Sequence, residues 1–184
     1  MKTSVYGLEQ KFQALGGDVT VTDGTRIEGY ASVFGRRDQG GDVVQTGAYA
    51  KSLASLAAKG RRVKMLWQHD PNEPIGIWDE VREDAHGLFV KGRLLPEVGR
   101  GREAMALIGA GAIDGLSIGY RTVKAEKDSK GQRLLSELEL WEVSLVTFPM
   151  LPEARVAAKD AESDASLREL AAVFNEARRV LAER

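Results

Sequence analysis

The chain has two histidines and no cysteine, which leaves few ways to build a catalytic site. His86 lies in EDAHGL, a turn between two predicted strands, and we expect it to be exposed and without a chemical role. His69 lies in MLWQHDPNEPIG, where an apolar strand ends and an Asp-Pro-Asn turn begins. Because a loop at the end of a rigid strand can present a base to a substrate, His69 is the candidate general base.

Ser117 is the candidate nucleophile. In GAIDGLSIGYR it lies between Gly115 and Gly119, so little side-chain bulk crowds its hydroxyl. GLSIG also matches G-x-S-x-G, the nucleophile elbow of the α/β-hydrolases, in which the acid and the histidine follow the serine. Both histidines precede Ser117 here, so the elbow is excluded. The short motif alone favours a structural serine, but the order His69, Ser117, then a strand containing Glu142 fits a catalytic triad.

A metal site beside His69 is a weaker hypothesis. Asp70 and Glu73 follow His69 closely and carry suitable oxygen atoms, but nothing else supplies a convincing further ligand. We therefore expect neither a metal nor another cofactor.

The elements that must position these residues are mostly strands. From Val19 to Arg155, short runs rich in Val, Ile, Tyr and Phe alternate with Gly, Asp and Asn clusters, which predicts a mainly β domain with flanking helices, an α+β fold. The predicted strands are DVTVT, RIEGYASVF, DVVQ, RVKMLW, IGIWDEV, GLFVKGRL, LSIGYRTV and RLLSELELWEVSLVTF. The polar segment KDSKGQ predicts a turn, so residues 115–147 form a hairpin.

Two segments predict helices, because their apolar residues recur three to four positions apart. These are AYAKSLASLAAK, with Tyr49, Leu53 and Leu56, and REAMALIGAG, with Ala104, Leu107 and Ile108.

The C-terminal part differs in composition. We expect residues 1–157 to form the folded domain and residues 158–184 to contain a linker and an amphipathic helix. The segment ARVAAKDAESDAS lacks strand alternation, and LRELAAVFNEARRVLAER carries an apolar stripe at helical spacing. The stripe is expected to pack on the domain, with docking on a partner or a second copy as the alternative.

Composition argues against several functions. Lys and Arg number 26 against 27 Asp and Glu, a net charge of -1, so we expect no direct nucleic-acid binding. No run is long and apolar enough to cross a bilayer, and the N-terminal residues do not resemble a secretion signal. The absence of cysteine is compatible with a reducing compartment, and we expect synthesis in the cytoplasm.

Five blocks in order resemble one family. They are GYASVFGRRDQGGDVVQTGAYAKSL, LWQHDPNEPIG, GLFVKGRL, GLSIGYR and LWEVSLVTFPM, between about Gly29 and Ala154. Together they resemble the tailed-phage prohead proteases, which are related to the herpesvirus protease assemblin. The resemblance implies a compact, mostly antiparallel β-barrel flanked by helices. It also implies a serine endopeptidase that cleaves major capsid protein and scaffold segments, and often itself, inside the assembling prohead.

The resemblance also implies site residues. The histidine of the QHD block falls on His69 and the serine of the GLSIGY block on Ser117, and the second histidine of assemblin aligns with Glu142. Alternation along the strand favours Glu142, because it shares a face with apolar Leu140 and Val146 and a carboxylate there needs a partner. Glu139 and Glu137 remain alternatives on the opposite face.

By the same resemblance, backbone N–H groups near Met150 and Leu151 would bind the oxyanion. The arginines found there in the herpesvirus enzymes are missing from this chain.

Two other functions compete with the endopeptidase. One is a catalytically idle capsid-assembly module of the same fold, and the other is an esterase without peptide preference. For the endopeptidase we further expect self-association and self-cleavage between Ala157 and Ser166.

Overall fold

The computed structural model of this protein describes residues 9–13, 19–22, 24–38, 40–129, 131–147 and 156–158. Within these residues there are ten strands: β1 (Glu9–Gln13), β2 (Val19–Thr22), β3 (Arg26–Val33), β4 (Asp42–Val44), β5 (Lys64–Trp67), β6 (Asp70–Glu83), β7 (Gly87–Leu94), β8 (Gly115–Lys127), β9 (Arg133–Val146) and β10 (Val156–Ala158). The same described ranges contain two helices, α1 (Ala50–Ala58) and α2 (Gly99–Gly109). The prediction of a mainly β fold with helices is confirmed.

The described strands form one sheet in the order β1-β8-β9-β5-β6-β7-β3-β2-β10, with β4 paired to β9. Most neighbours are antiparallel, whereas β4 and β5 run parallel to β9, and β10 runs parallel to β2. The hairpin predicted over residues 115–147 is the β8–β9 pair. Contacts between β3 and β8, which are distant in the strand order, show that the sheet curls.

A short strand lies in the segment ARVAAKDAESDAS, and the division into a domain over residues 1–157 and a linker and helix over residues 158–184 stays a prediction. Val156–Ala158 forms a strand that the sequence did not indicate, because it is too short and alanine-rich to show alternation. The remainder of the predicted linker, the C-terminal helix and the oxyanion candidates Met150 and Leu151 lie outside the described residues.

The concave side of the sheet holds the core. Trp78 is 2% exposed, and its indole N–H donates to the Val143 carbonyl at 3.1 Å, which joins β6 to β9. Trp67 is half-buried and packs against this core. Truncating a buried aromatic of this size typically costs roughly 3–5 kcal/mol, so we expect Trp78 to contribute strongly to the stability of the fold.

The two helices begin and pack differently. At the start of α1, the Glu83 carboxylate accepts backbone N–H bonds from Gly47 and Tyr49, which satisfies donors that have no partner in the helix. In α2, Ala104 and Ile108 are buried as expected, whereas Leu107 is 37% exposed.

Neither of the described helices has the length and the apolar composition that crossing a membrane requires.

Candidate active site

His69 lies in a two-residue turn. β5 ends at Trp67 and β6 begins at Asp70, and these two residues pair with each other. Gln68 and His69 are therefore the central residues of a tight hairpin. Their φ angles are 51° and 63°, a region that residues other than glycine adopt at a cost of roughly 1–3 kcal/mol. This backbone conformation therefore has to be stabilised by its surroundings.

Strand β9 supplies that stabilisation. The Gln68 N–H donates to the Leu145 carbonyl at 2.9 Å, and the Gln68 amide donates to the Thr147 hydroxyl at 2.5 Å. The His69 N–H donates to the Ser144 hydroxyl at 3.2 Å. Three hydrogen bonds thus fix the turn to β9 and to Thr147, the residue that follows it, and they fix the direction of the imidazole as well.

The sheet register brings the three candidate triad residues together. β9 lies between β8 and β5, with Ser117 opposite Ser144 and Gly119 opposite Glu142 across the β8–β9 ladder. On the other side β5 runs parallel to β9, and its last residue, Trp67, pairs with Leu145. The turn that follows β5 therefore reaches the same part of β9.

The imidazole of His69 lies between a hydroxyl and a carboxylate. Its Nε2 is 2.6 Å from the Ser117 Oγ, and its Nδ1 is 2.5 Å from the Glu142 Oε1. The side chains of His69 and Glu142 are 5% and 7% exposed. A carboxylate at Nδ1 keeps the proton on that nitrogen, which leaves Nε2 free to accept the proton of the serine hydroxyl.

Gly119 makes room for the acid. A Cβ at this position would lie 2.7 Å from the Glu142 Cδ and would also collide with the Oε1 that faces His69. Real Cβ atoms essentially never approach so closely, so a side chain at residue 119 would displace the carboxylate.

The alternative acids are engaged elsewhere. Glu137 pairs with Lys51 at 2.6 Å, and Glu139 lies 3.5 Å from Arg121. Both lie on β9 like Glu142, but the glutamate that contacts the His69 imidazole is Glu142. The structure therefore brings Ser117, His69 and Glu142 together and leaves the other two glutamates on different partners.

The remaining candidates do not join this group. His86 is exposed, and its ring lies edge-on to Tyr30 at 4.6 Å between centroids. Asp70 accepts the Asn72 N–H at 2.8 Å, and Glu73 lies 3.3 Å from the Arg100 Nε. Within the described parts of the chain, no cluster of three or more His, Cys, Asp or Glu residues is arranged to hold a metal ion.

Ser144 is a site residue that the sequence did not identify. It is fully buried, and its hydroxyl donates to the Glu142 Oε2 at 2.6 Å while it accepts the His69 N–H. Strand alternation placed Ser144 on the face of Glu142, which was the available signal. Its bond to His69 spans 75 residues and depends on the parallel contact of β5 with β9.

A buried triad of serine, histidine and glutamate on a mainly β scaffold has the geometry of a serine hydrolase active site. The family described as caudovirus prohead serine protease matches residues 16–169, and the chain belongs to that family.

Two relatives and one solved structure are similar to this chain. The prohead protease of Enterobacteria phage HK97 is 35% identical over 135 residues, which cover 72% of this chain and 59% of that protein. The capsid polyprotein of Pseudomonas phage PAJU2 is 36% identical over 112 residues, or 54% of this chain and 17% of that protein. The matched regions thus span about three fifths and about one sixth of these relatives.

The solved structure is that of the bacteriophage T4 capsid assembly protease. It superposes with a TM-score of 0.63 at 17% identity and covers 77% of this chain and 98% of that one. At this identity the likeness shows a shared fold.

Proposed function

We propose that this protein is a serine endopeptidase that processes capsid protein or scaffold segments during prohead maturation. The contact of His69 with both Ser117 and Glu142 carries the proposal, in a chain that belongs to a family of prohead serine proteases. Relatives named as a prohead protease and as a capsid polyprotein support capsid proteins as substrates.

The reaction follows from the geometry. Ser117 transfers its proton to Nε2 of neutral His69 as the Oγ attacks the scissile carbonyl carbon, and Glu142 stabilises the imidazolium that forms. His69 then gives the proton to the departing amine, which leaves an acyl group on Ser117. His69 then takes a proton from a water molecule as the water attacks this ester, and it returns the proton to the Ser117 Oγ as the ester bond breaks and the second product leaves.

The negative oxygen of the tetrahedral intermediate needs hydrogen-bond donors. We keep the backbone N–H groups near Met150 and Leu151 as the proposed donors, on the resemblance to assemblin. Removing one such donor typically lowers turnover about a hundredfold to a thousandfold, so the position is testable by altering this segment.

The curled sheet supports a finer assignment of the fold, the assemblin-type barrel with its mostly antiparallel strands. The proposed place of action is the interior of the assembling prohead in the host cytoplasm. We also propose self-association, with residues 1–157 as the protease domain, and self-cleavage between Ala157 and Ser166. Removal of residues 160–184 should then change how activity depends on dilution, and unchanged association and activity would refute the role of this segment.

Co-expression with the major capsid protein of the same source tests the function. Wild type and Ser55→Ala, which changes an exposed serine of α1, should both shorten the capsid protein, and Ser117→Ala should not. Mass measurement of the products gives the cleavage site. An intact capsid protein with wild type inside assembled particles would support the idle assembly module, and cleavage by Ser117→Ala would exclude the proposed nucleophile.

A further inference from the structure

We infer that Ser144 is a positioning residue of this site. Its single hydroxyl group holds both the acid and the base of the triad in their relative orientation. The inference rests on the proposed function of Ser117, His69 and Glu142. It adds a fourth residue, which lies behind the triad and acts through Glu142 and His69.

The hydrogen bonds of Ser144 are directional. A hydroxyl has a single proton to donate, and here that proton is directed to the Glu142 Oε2 at 2.6 Å. The same oxygen accepts the backbone N–H of His69 at 3.2 Å. Ser144 therefore contacts the acid through its side chain and the base through its backbone.

The first bond fixes the rotation of the carboxylate. Glu142 has two carboxylate oxygens, and each has its own partner: Oε1 faces the His69 Nδ1 and Oε2 faces the Ser144 hydroxyl. With Oε2 held, the carboxylate cannot turn about its Cγ–Cδ bond without losing a charge-assisted hydrogen bond. The Oε1 stays directed at the imidazole as a result.

The second bond fixes the turn. His69 has a φ of 63°, an unfavourable region for its backbone, and its N–H has the Ser144 hydroxyl as partner. Without this acceptor the turn can relax toward ordinary backbone angles, and the imidazole would move with it. Both bonds lie in an environment from which water is excluded, since Ser144 is 0% exposed.

The test compares Ser144→Ala with Ser32→Ala. Ser32 is equally buried, and its hydroxyl accepts the Tyr49 O–H at 2.7 Å, so both changes remove one buried hydroxyl from a strand. The assay is labelling by a fluorophosphonate probe, measured as the maximal labelling rate and the half-saturating probe concentration. Urea unfolding gives the loss of stability of each variant.

Ser144→Ala should lower the maximal labelling rate about 10-fold to 100-fold, the range typical of losing a hydrogen bond to a charged group or an orienting partner. The half-saturating concentration should change less than about 3-fold, because Ser144 lies behind the reacting groups. Ser32→Ala should keep the wild-type labelling rate despite a comparable loss of stability, and Ser144→Thr, which retains the hydroxyl, should recover most of the rate.

A double-mutant cycle separates positioning from a general structural effect. Because Ser144 acts partly through Glu142, Ser144→Ala should have a clearly smaller effect in a Glu142→Gln background than in the wild-type background. An undiminished effect in that background, or a wild-type rate for Ser144→Ala, overturns the inference. Neither result would contradict the proposed function. The proposed function would instead be contradicted if the probe labelled the Ser117→Ala variant.

Discussion

Replacing Gly119 by alanine should disable the site without changing any group that takes part in the reaction. The new Cβ would lie 2.7 Å from the Glu142 Cδ, whereas carbon atoms in contact are normally about 3.5–4.0 Å apart. The carboxylate would therefore have to move by about 1 Å. A displacement of this size is large enough to break the 2.5 Å contact between the His69 Nδ1 and the Glu142 Oε1, because hydrogen bonds weaken steeply outside a narrow range of distance and angle.

The loss of that bond sets the expected magnitude. Removing the acid of a serine-protease triad lowers kcat by roughly ten-thousandfold, so we expect Gly119→Ala to lower kcat roughly a thousandfold or more. That factor corresponds to about 4 kcal/mol of transition-state stabilisation. Crowding next to the buried carboxylate should also reduce stability by about 1–3 kcal/mol.

The assay is cleavage of capsid protein by purified variants, with circular dichroism and urea unfolding to establish that they are folded. Gly109→Ala is the matched control, because nothing lies within 4 Å of its Cβ and it sits at the end of α2. It should keep the wild-type kcat and gain up to about 0.5 kcal/mol of stability. A folded Gly119→Ala variant that cleaves at the wild-type rate would refute the argument that Glu142 must occupy this space.

Two further predictions concern other carboxylates. Glu139→Gln should leave kcat unchanged, because Glu139 pairs with Arg121. Glu142→Gln should lower kcat at least a thousandfold, and equal effects of the two changes in steady-state kinetics would contradict the assignment of the acid. Burial alone would raise the pKa of Asp84, but hydrogen bonds from Tyr30, Arg82 and the His86 and Gly87 N–H groups outweigh it and hold the pKa well below its ordinary 3.8. Because the pKa is lower in the folded state, Asp84 stabilises the fold above about pH 4 and this contribution is lost as the pH falls further. Asp84→Asn should therefore cost about 2 kcal/mol at pH 7 and clearly less at pH 3 in urea unfolding, and an equal cost at both values would refute the linkage.

Much of the fold followed from local pattern. The eight predicted strands are present as β2 to β9, because their alternation or apolar content reflects one or two buried faces. The two helices that were predicted between strands are also present as α1 and α2, although Leu107 of α2 is partly exposed. The resemblance to prohead proteases is confirmed by the family match.

What the sequence could not supply was long-range pairing. The parallel contact between β5 and β9 joins residues more than seventy positions apart, and no local pattern encodes it. The positive φ angles of Gln68 and His69 could not be predicted from the sequence either, since Gln-His is not one of the residue pairs typical of two-residue hairpin turns. Ser144 was missed for the same reason, because its role exists only once the turn lies against β9.

The central claim is that the Ser117 hydroxyl, activated by His69, attacks the substrate. The most direct measurement is peptide mapping of wild-type protein after reaction with a fluorophosphonate probe, beside Ser117→Ala and His69→Ala. The account predicts one adduct, on Ser117 of the wild type, with none on Ser117→Ala and labelling slowed at least a thousandfold in His69→Ala. An adduct on a different residue, or unchanged labelling of His69→Ala, would contradict it.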